Sequence, residues 1–392
     1  MPLSNRSIFS LEGRRTVKVI IVGANFAALA AIERLRDLDL GRNLQLIVVA
    51  PKPEFFYQPS LIWIPTKGRT SEQLHVPLTT FFERMGVDFI PAHAVGAENG
   101  GRTLLTTAGP MDNDALLIAS GGDYLKKAPG IEHHALIPCQ LAHANRARDA
   151  LEHMTGGELA FGFAGNPNEP TAIRGGPMFE FMFCIENHLR KMGLRKKFAL
   201  TFFSPMAEPG KRMGPKAVSG LLATMEKRGI RTHLGHKITR FKPDGVETEK
   251  GHIPSDMTLF IPGMTGQSWF AKTGFPLSPG GFIQADGTGL VTGTQRVYVA
   301  GDAGFFPGPD WRAKQAHMAQ LQAAAAAENI FLELHGKPAQ KTFRTELICI
   351  VDTEKTGIFV SRFERFGLIL PPMALMHLVK VGFEQWVMNT YR

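Results

Sequence analysis

The chain is poor in cysteine and has neither a long apolar run nor a low-complexity tract. Three cysteines in 392 residues cannot build a disulfide framework, and the odd count leaves at least one thiol free. A secreted, cystine-stapled scaffold is therefore excluded. No stretch of 18 or more residues is wholly apolar, which excludes an ordinary membrane-spanning helix. Glycine (41) and proline (26) stay below the share typical of disordered chains, and 44% of the residues are hydrophobic. A packed globular protein of two or three domains is expected, with no metal site.

What is present is positive charge, concentrated in one place. Lys and Arg number 44 against 35 Asp and Glu, a formal charge of +9. Between Arg190 and Lys242 fourteen basic side chains face only Glu208 and Glu226, an excess larger than that of the whole chain. Such a block is either a solvated face or a surface for nucleic acid or anionic lipid. Residues 1–15 read as a loose polar arm. Arg14-Arg15 ahead of Val19–Ala31 has the form of a twin-arginine leader, but the same apolar stretch serves as the first strand and turn of a nucleotide-binding unit. No cleavable signal is expected, and a cytoplasmic location is the default.

Periodicity predicts alternating strands and helices. Thr16–Val22 and Leu44–Ala50 read as buried strands around a helix at Phe26–Leu38, followed by a helix near Leu78–Met85 and strands at Val87–Pro91 and Ala115–Ser120. A second block opens at Leu159–Ala164 and continues with a helix over Met178–Met192, a strand over Phe198–Phe203 and a helix over Lys216–Arg228. Val297–Ala300 and Gln315–Leu334 add a last strand and an Ala-rich helix. The alternation indicates an α/β protein with parallel sheets. Met373–Tyr391 is apolar around most of its circumference but places His377, Lys380 and Glu384 on one face. That pattern suits a helix lying in a membrane interface, a helix on the protein's own core, or a seam between two copies.

The first turn, Gly23-Ala24-Asn25-Phe26-Ala27-Ala28, is a variant of the dinucleotide fingerprint G-x-G-x-x-G/A. Gly23 supplies the sharp turn and Ala28 the close helix packing, whereas Asn25 departs from the pattern and is expected to survive there by tolerating left-handed backbone. The ribose-binding acid expected at the end of the second strand is Ala50. Ala119-Ser120-Gly121-Gly122 resembles the Ala-Thr-Gly turn of flavoproteins with two dinucleotide-binding domains, and the run ending in Gly301-Asp302 resembles their second flavin motif. The resemblance implies FAD, with Asp302 holding its ribityl chain. The second block lacks a glycine fingerprint: Gly165-Asn166-Pro167-Asn168-Glu169-Pro170 removes backbone donors where phosphate would sit. NAD(P)H is not expected as the electron donor.

Further segments resemble the sulfide:quinone oxidoreductases and flavocytochrome sulfide dehydrogenases over nearly the whole chain. They are Phe55-Phe56-Tyr57-Gln58-Pro59-Ser60-Leu61, Cys139-Gln140-Leu141-Ala142-His143-Ala144, Gly175-Gly176-Pro177-Met178-Phe179-Glu180-Phe181, Gln315-Ala316, Cys349 with Glu354 and Gly357, and Lys380-Val381-Gly382-Phe383-Glu384. The resemblance implies that Pro59 and Ser60 lie near the flavin, that Cys349 and Cys139 are redox thiols, and that His143 is an acid/base beside Cys139. The family's middle cysteine, which precedes Gly-Pro, is absent: Arg174-Gly175 stands there, and Cys184 comes ten residues later. A lysine common after Gly-Asp gives way to Gly308-Pro309, and a family histidine is missing from the Glu208–Gly214 stretch.

The expected architecture is two Rossmann-like domains and a tail. Residues 16–125 and 290–340 would bind FAD, 155–275 would form a second domain without a working fingerprint, and 341–392 would face membrane and quinone. Phe359, Phe363 and Phe366 are expected to line an apolar route to the flavin. The expected activity is oxidation of sulfide or a related sulfur compound, with membrane quinone as acceptor. Expected partners are an anionic membrane surface, without nucleic acid, and a homo-oligomer stays open. The alternatives are a single-subunit NAD(P)H:quinone oxidoreductase and a flavin-binding redox sensor without turnover.

Overall fold

A computed structural model describes residues 16–392. The polar arm and Arg14-Arg15 lie outside the described residues. The first sheet has five parallel strands in the order Val297–Val299, Ala115–Ile118, Val17–Val22, Leu44–Ala50, Val87–Pro91. Apart from the half-exposed edge strand Val87–Pro91, their inner residues are buried on both faces, as continuous apolar runs of parallel strands require. The helices Phe26–Leu38 and Ala316–Leu334 pack on each other through Ala27, Ala28 and Ala31 against Ala319, Ala323, Ala326 and Ala327. Small side chains permit that close approach. The strand order reverses between Val17–Val22 and Ala115–Ile118, where α/β sheets open a crevice at their carboxyl ends.

A second parallel sheet runs Ile230–Leu234, Phe198–Ser204, Gly157–Phe163, Met257–Ile261, and the helix Gly176–Lys191 packs against it. Two three-stranded antiparallel sheets, at Ala94–Asp112 and Ile238–Pro254, are additions that periodicity did not announce. Their strands have four or five residues each and are half exposed, so no apolar run marks them.

The tail forms an antiparallel sheet, Leu347–Asp352, Gly357–Arg362 and Gly367–Ile369, followed by the helix Ala374–Tyr391. This helix is turned polar side in. Lys380 pairs with Glu180, His377 Nδ1 lies 2.8 Å from Asp352, and Glu384 accepts from Ser60 at 2.5 Å and from Arg69 at 2.8 Å. Leu375, Leu378, Val379, Phe383 and Trp386 point outward, and Trp386 is 65% exposed. No helix among the described residues is long and apolar enough to cross a membrane.

Half of the fourteen basic side chains of the block are paired with acids. Glu186, fully buried, binds Arg190 at 2.5 Å, Arg228 at 2.8 Å and Arg195 at 3.2 Å. Lys191 pairs with Glu354, Arg231 with Glu158 and Lys242 with Glu247. The acids come mostly from outside the Arg190–Lys242 window, which is why the linear count overstated a free cationic surface. Removing a buried charge that compensates several cations is costly. Glu186→Gln should lower unfolding free energy by about 3 kcal/mol, read from urea denaturation; an unchanged midpoint would show the three arginines to be independent of it.

Candidate functional site

One cleft of about 2030 Å³ opens at the carboxyl ends of the first sheet and continues between the second sheet and the tail. Its floor is the first turn. Gly23 adopts φ +119°, and a Cβ there would lie 2.4 Å from the Ala119 carbonyl oxygen. Only glycine fits. Asn25 is not left-handed, as its tolerance for that geometry suggested; it is extended (φ −127°, ψ −168°) and caps the helix. Its Oδ1 accepts from the Phe26 amide at 2.8 Å and its Nδ2 donates to the Phe56 carbonyl at 3.0 Å. Ala28 is buried in the helix packing and does not reach the cleft.

Ala119, Ser120, Gly121, Gly301 and Asp302 all line the cleft. Ser120 Oγ is buried without a hydrogen-bond partner among the described residues, an orphan polar atom in the wall. Together with the Cβ-free turn at Gly23 it fits a polar, closely approaching group such as a dinucleotide. Pro59 lines the cleft, whereas Ser60 is buried away from it on Glu384. Arg174, in the place of the missing cysteine, pairs with the Asp302 carboxylate and lies 3.5 Å from the Tyr124 hydroxyl.

Lys314 went unnoticed in the sequence. Its Nζ donates to the Asp302 and Gly304 carbonyls at 3.0 and 2.8 Å and stands 3.8 Å above the Phe282 ring. Burial, partly opposed by Asp302, lowers its pKa to about 8. The available signal was that it is the only lysine between Gly301 and Gln315.

Cys139 and Cys349 line the same cleft; Cys184 does not, and its Sγ meets the Asp352 carbonyl at 3.7 Å. Burial pushes the Cys139 thiol up to about 11 against the pull of Arg174, and the Cys349 thiol up to about 12 with Glu180 adding to it. Glu180 is raised by burial although Lys380 opposes the shift; Lys380, despite burial, is held up by Glu180. His143, expected as acid/base beside Cys139, does not line the cleft: its Nδ1 accepts from the Ile137 amide at 2.8 Å, which commits it to the backbone. Of the three tail phenylalanines, Phe359 lines the cleft, while Phe363 and Phe366 stack on each other with centroids 4.6 Å apart.

The second-domain turn is closed on itself. Asn166 Nδ2 donates to the Met264 carbonyl at 2.9 Å, Glu169 accepts from the Gly280 amide at 3.0 Å and from Ser278, and Arg212 Nη2 donates to the Pro170 carbonyl at 2.9 Å. These bonds hold the loop where an open phosphate cradle would be needed.

The sequence profile of the pyridine nucleotide-disulphide oxidoreductases matches residues 17–326. The chain belongs to that family. Within it the chain is similar to the sulfide-quinone reductase of Aquifex aeolicus, 24% identical over 94% of this chain and 89% of that one. It is also similar to a type II NADH:quinone oxidoreductase of Staphylococcus aureus, 20% identical over 83% and 84% of the two chains. The crystal structure of the Aquifex aeolicus sulfide:quinone oxidoreductase superimposes with a TM-score of 0.86, at 21% identity, over 96% of this chain and 91% of that one. This pyridine nucleotide-disulphide oxidoreductase is accordingly a flavoprotein oxidoreductase with FAD as its cofactor.

Raised thiol pKa values give a signed expectation. The nucleophile is the thiolate, so alkylation of Cys139 and Cys349 by iodoacetamide should be slow at pH 7.5 and accelerate about tenfold per pH unit toward pH 10, with Cys184 unmodified throughout. Peptide mass spectrometry reads each site, and a flat profile would mean the thiols are already ionised at neutral pH.

Proposed function

We propose that the chain is an FAD-dependent sulfide:quinone oxidoreductase working at one membrane leaflet. The observation that carries this reading is the shared cleft: Cys349, Cys139, the Glu180–Lys380 pair and the flavin-type turns line one continuous space. FAD, held by the Gly23–Ala28 turn, Ala119–Gly121 and Gly301–Asp302, supplies two-electron acceptor and donor chemistry. Cys349 is the thiol that meets the sulfur substrate, with Cys139 on the Tyr124–Arg174 side. Lys380 and Glu180 hold a proton between them at the tail side of the cleft, which a reduced quinone requires.

The acceptor side is apolar. Val379 and Phe383 line the cleft and are also exposed on the outer surface of the terminal helix, so the cleft reaches the same face that carries Leu378 and Trp386. A lipid-soluble acceptor enters there while the apolar face rests in the headgroup region. The type II NADH:quinone oxidoreductases among the relatives keep a second reading in view. The closed turn at Asn166–Pro170 favours the first.

Anaerobic titration of the flavin spectrum, first with sulfide and then with NADH, separates the two. Sulfide should bleach the flavin within seconds and NADH should not; Cys349→Ser should lose at least 99% of the sulfide response, while Cys184→Ala keeps it. Rapid bleaching by NADH alone would overturn the reading. For the membrane, Leu378→Glu with Trp386→Glu should abolish flotation with phospholipid vesicles, because two exposed apolar anchors become charges; undiminished flotation would place the contact elsewhere.

A further inference from the structure

Two arginines from separate segments, Arg212 and Arg362, line the cleft on the side of the second sheet, and a third, Arg312, stands behind them on a small neighbouring pocket. Arg212 lies in the loop ahead of the helix Pro215–Lys227, Arg312 follows Gly301–Asp302, and Arg362 ends the second tail strand. Arg362 Nη1 donates to the Arg212 carbonyl at 2.9 Å, and its guanidinium lies over the Trp311 ring at 5.0 Å. Arg212 spends Nη2 on the Pro170 carbonyl and Nη1 on the Ile173 carbonyl at 3.5 Å, and Arg312 spends Nη1 on the carbonyls of Gly308 and Pro309 at 3.0 and 3.2 Å while its guanidinium lies over the Phe305 ring at 5.0 Å. A guanidinium has five N–H donors, so most of this supply is uncommitted among the described residues.

The carboxylates in reach act on Arg312, where Glu169 and Asp310 oppose the effect of burial, and not on Arg212. Glu169 is bound to Ser278 and the Gly280 amide, Asp310 sits exposed on the rim, and Glu208 is exposed and 3.8 Å from Lys211. Burial and the neighbouring Arg312 hold Arg212 down at about 10, as expected where like charges lack a counter-ion.

Strand register ties the cluster to the thiol. Leu347 pairs with Arg362 and Cys349 with Val360. Cross-strand partners share a face of the sheet, and so do alternate residues of one strand. Arg362 and Cys349 therefore stand on the same face, with a two-residue separation of about 7 Å along the strand. Lys211, Arg212, Trp311, Arg362 and Cys349 all line one cleft.

We propose that Arg212 and Arg362 form an anion subsite beside Cys349 that takes a sulfur-bearing dianion, the class to which inorganic polysulfide and thiosulfate belong. The proposal rests on the sulfur-oxidising reading above and names its substrate class. One cation suffices for a hydrosulfide monoanion; two guanidinium groups with free donors suit two charges and several acceptor atoms. Trp311 fixes the plane of Arg362 and keeps the site ready for an extended ligand.

The test uses the oxidised, FAD-loaded protein, with tryptophan fluorescence and calorimetry as binding readouts that need no turnover. Thiosulfate should bind and perturb the fluorescence, and Arg212→Met and Arg362→Gln should each weaken it about tenfold or more. The two variants sit on different segments, so misfolding of one leaves the other informative. In anaerobic bleaching, a fall of about tenfold in the polysulfide-to-hydrosulfide rate ratio in the variants identifies polysulfide as the occupant; thiosulfate binding lost with an unchanged ratio identifies thiosulfate. Absence of thiosulfate binding, unaltered affinity in both variants, equal binding of sulfate, or saturation by NADPH in its place overturns the subsite. Arginine-dependent thiosulfate binding in a protein that sulfide does not bleach would keep the subsite and defeat the reading beneath it.

Discussion

The inward polar face of the terminal helix sets the architecture of the tail. His377, Lys380 and Glu384 recur on one side of Ala374–Tyr391, and each has a partner from a different part of the chain: Asp352, Glu180, and Ser60 with Arg69. A charge removed from water is tolerated only when paired. With three such pairs on one face, the rotation of the helix about its axis is fixed and its apolar residues must face out. The outer wall of the cleft at Val379 and Phe383 and the exposed stripe of Leu378 and Trp386 follow from that single orientation.

Electrostatics inside the cleft divide along the same line. On the tail side, Glu180 and Lys380 form a closed pair beside Cys349. On the sheet side, Arg174 covers Asp302 while Lys314 donates to carbonyl oxygens and stands over the Phe282 ring. Both cleft thiols are kept protonated by burial, so the fixed cations around them matter most once a charged ligand enters and the local balance changes.

Much of the first sheet was legible in the sequence because parallel strands covered on both faces read as nearly unbroken apolar runs, as in Leu44–Ala50; the half-exposed edge strand Val87–Pro91 and the helix Phe26–Leu38 also fall where the sequence placed them. The small antiparallel sheets were not, since half-exposed strands of four or five residues carry no such run. In the site, Gly23 and the Gly301-Asp302 turn were readable because backbone geometry restricts them to few residue types. Asn25 was readable as a departure but not for its role, because capping and left-handed turns recruit the same residue. Lys314 and the Arg212–Arg362 pair depend on contacts between distant segments, which no local pattern encodes. Ionisable residues on Met373–Tyr391 announced a polar face without its direction; partners at Glu180 and Asp352 supply that.

The first sheet is closed by a strand that arrives late. Val297–Val299 takes its edge position beside Ala115–Ile118, and Ala316–Leu334 covers Phe26–Leu38, only after the whole second sheet has been made. During synthesis the early strands must wait with one edge unpaired and one helix uncovered. The second sheet is continuous in sequence, but its core also takes in Leu61, Ile62, Trp63, Ile64 and Leu74 from the first block and Leu347, Val351 and Val360 from the tail. Such sequence-distant pairing makes slow assembly of the cofactor-binding half the expected kinetic bottleneck, and makes the amino-terminal segment the part most dependent on protection while the chain is incomplete.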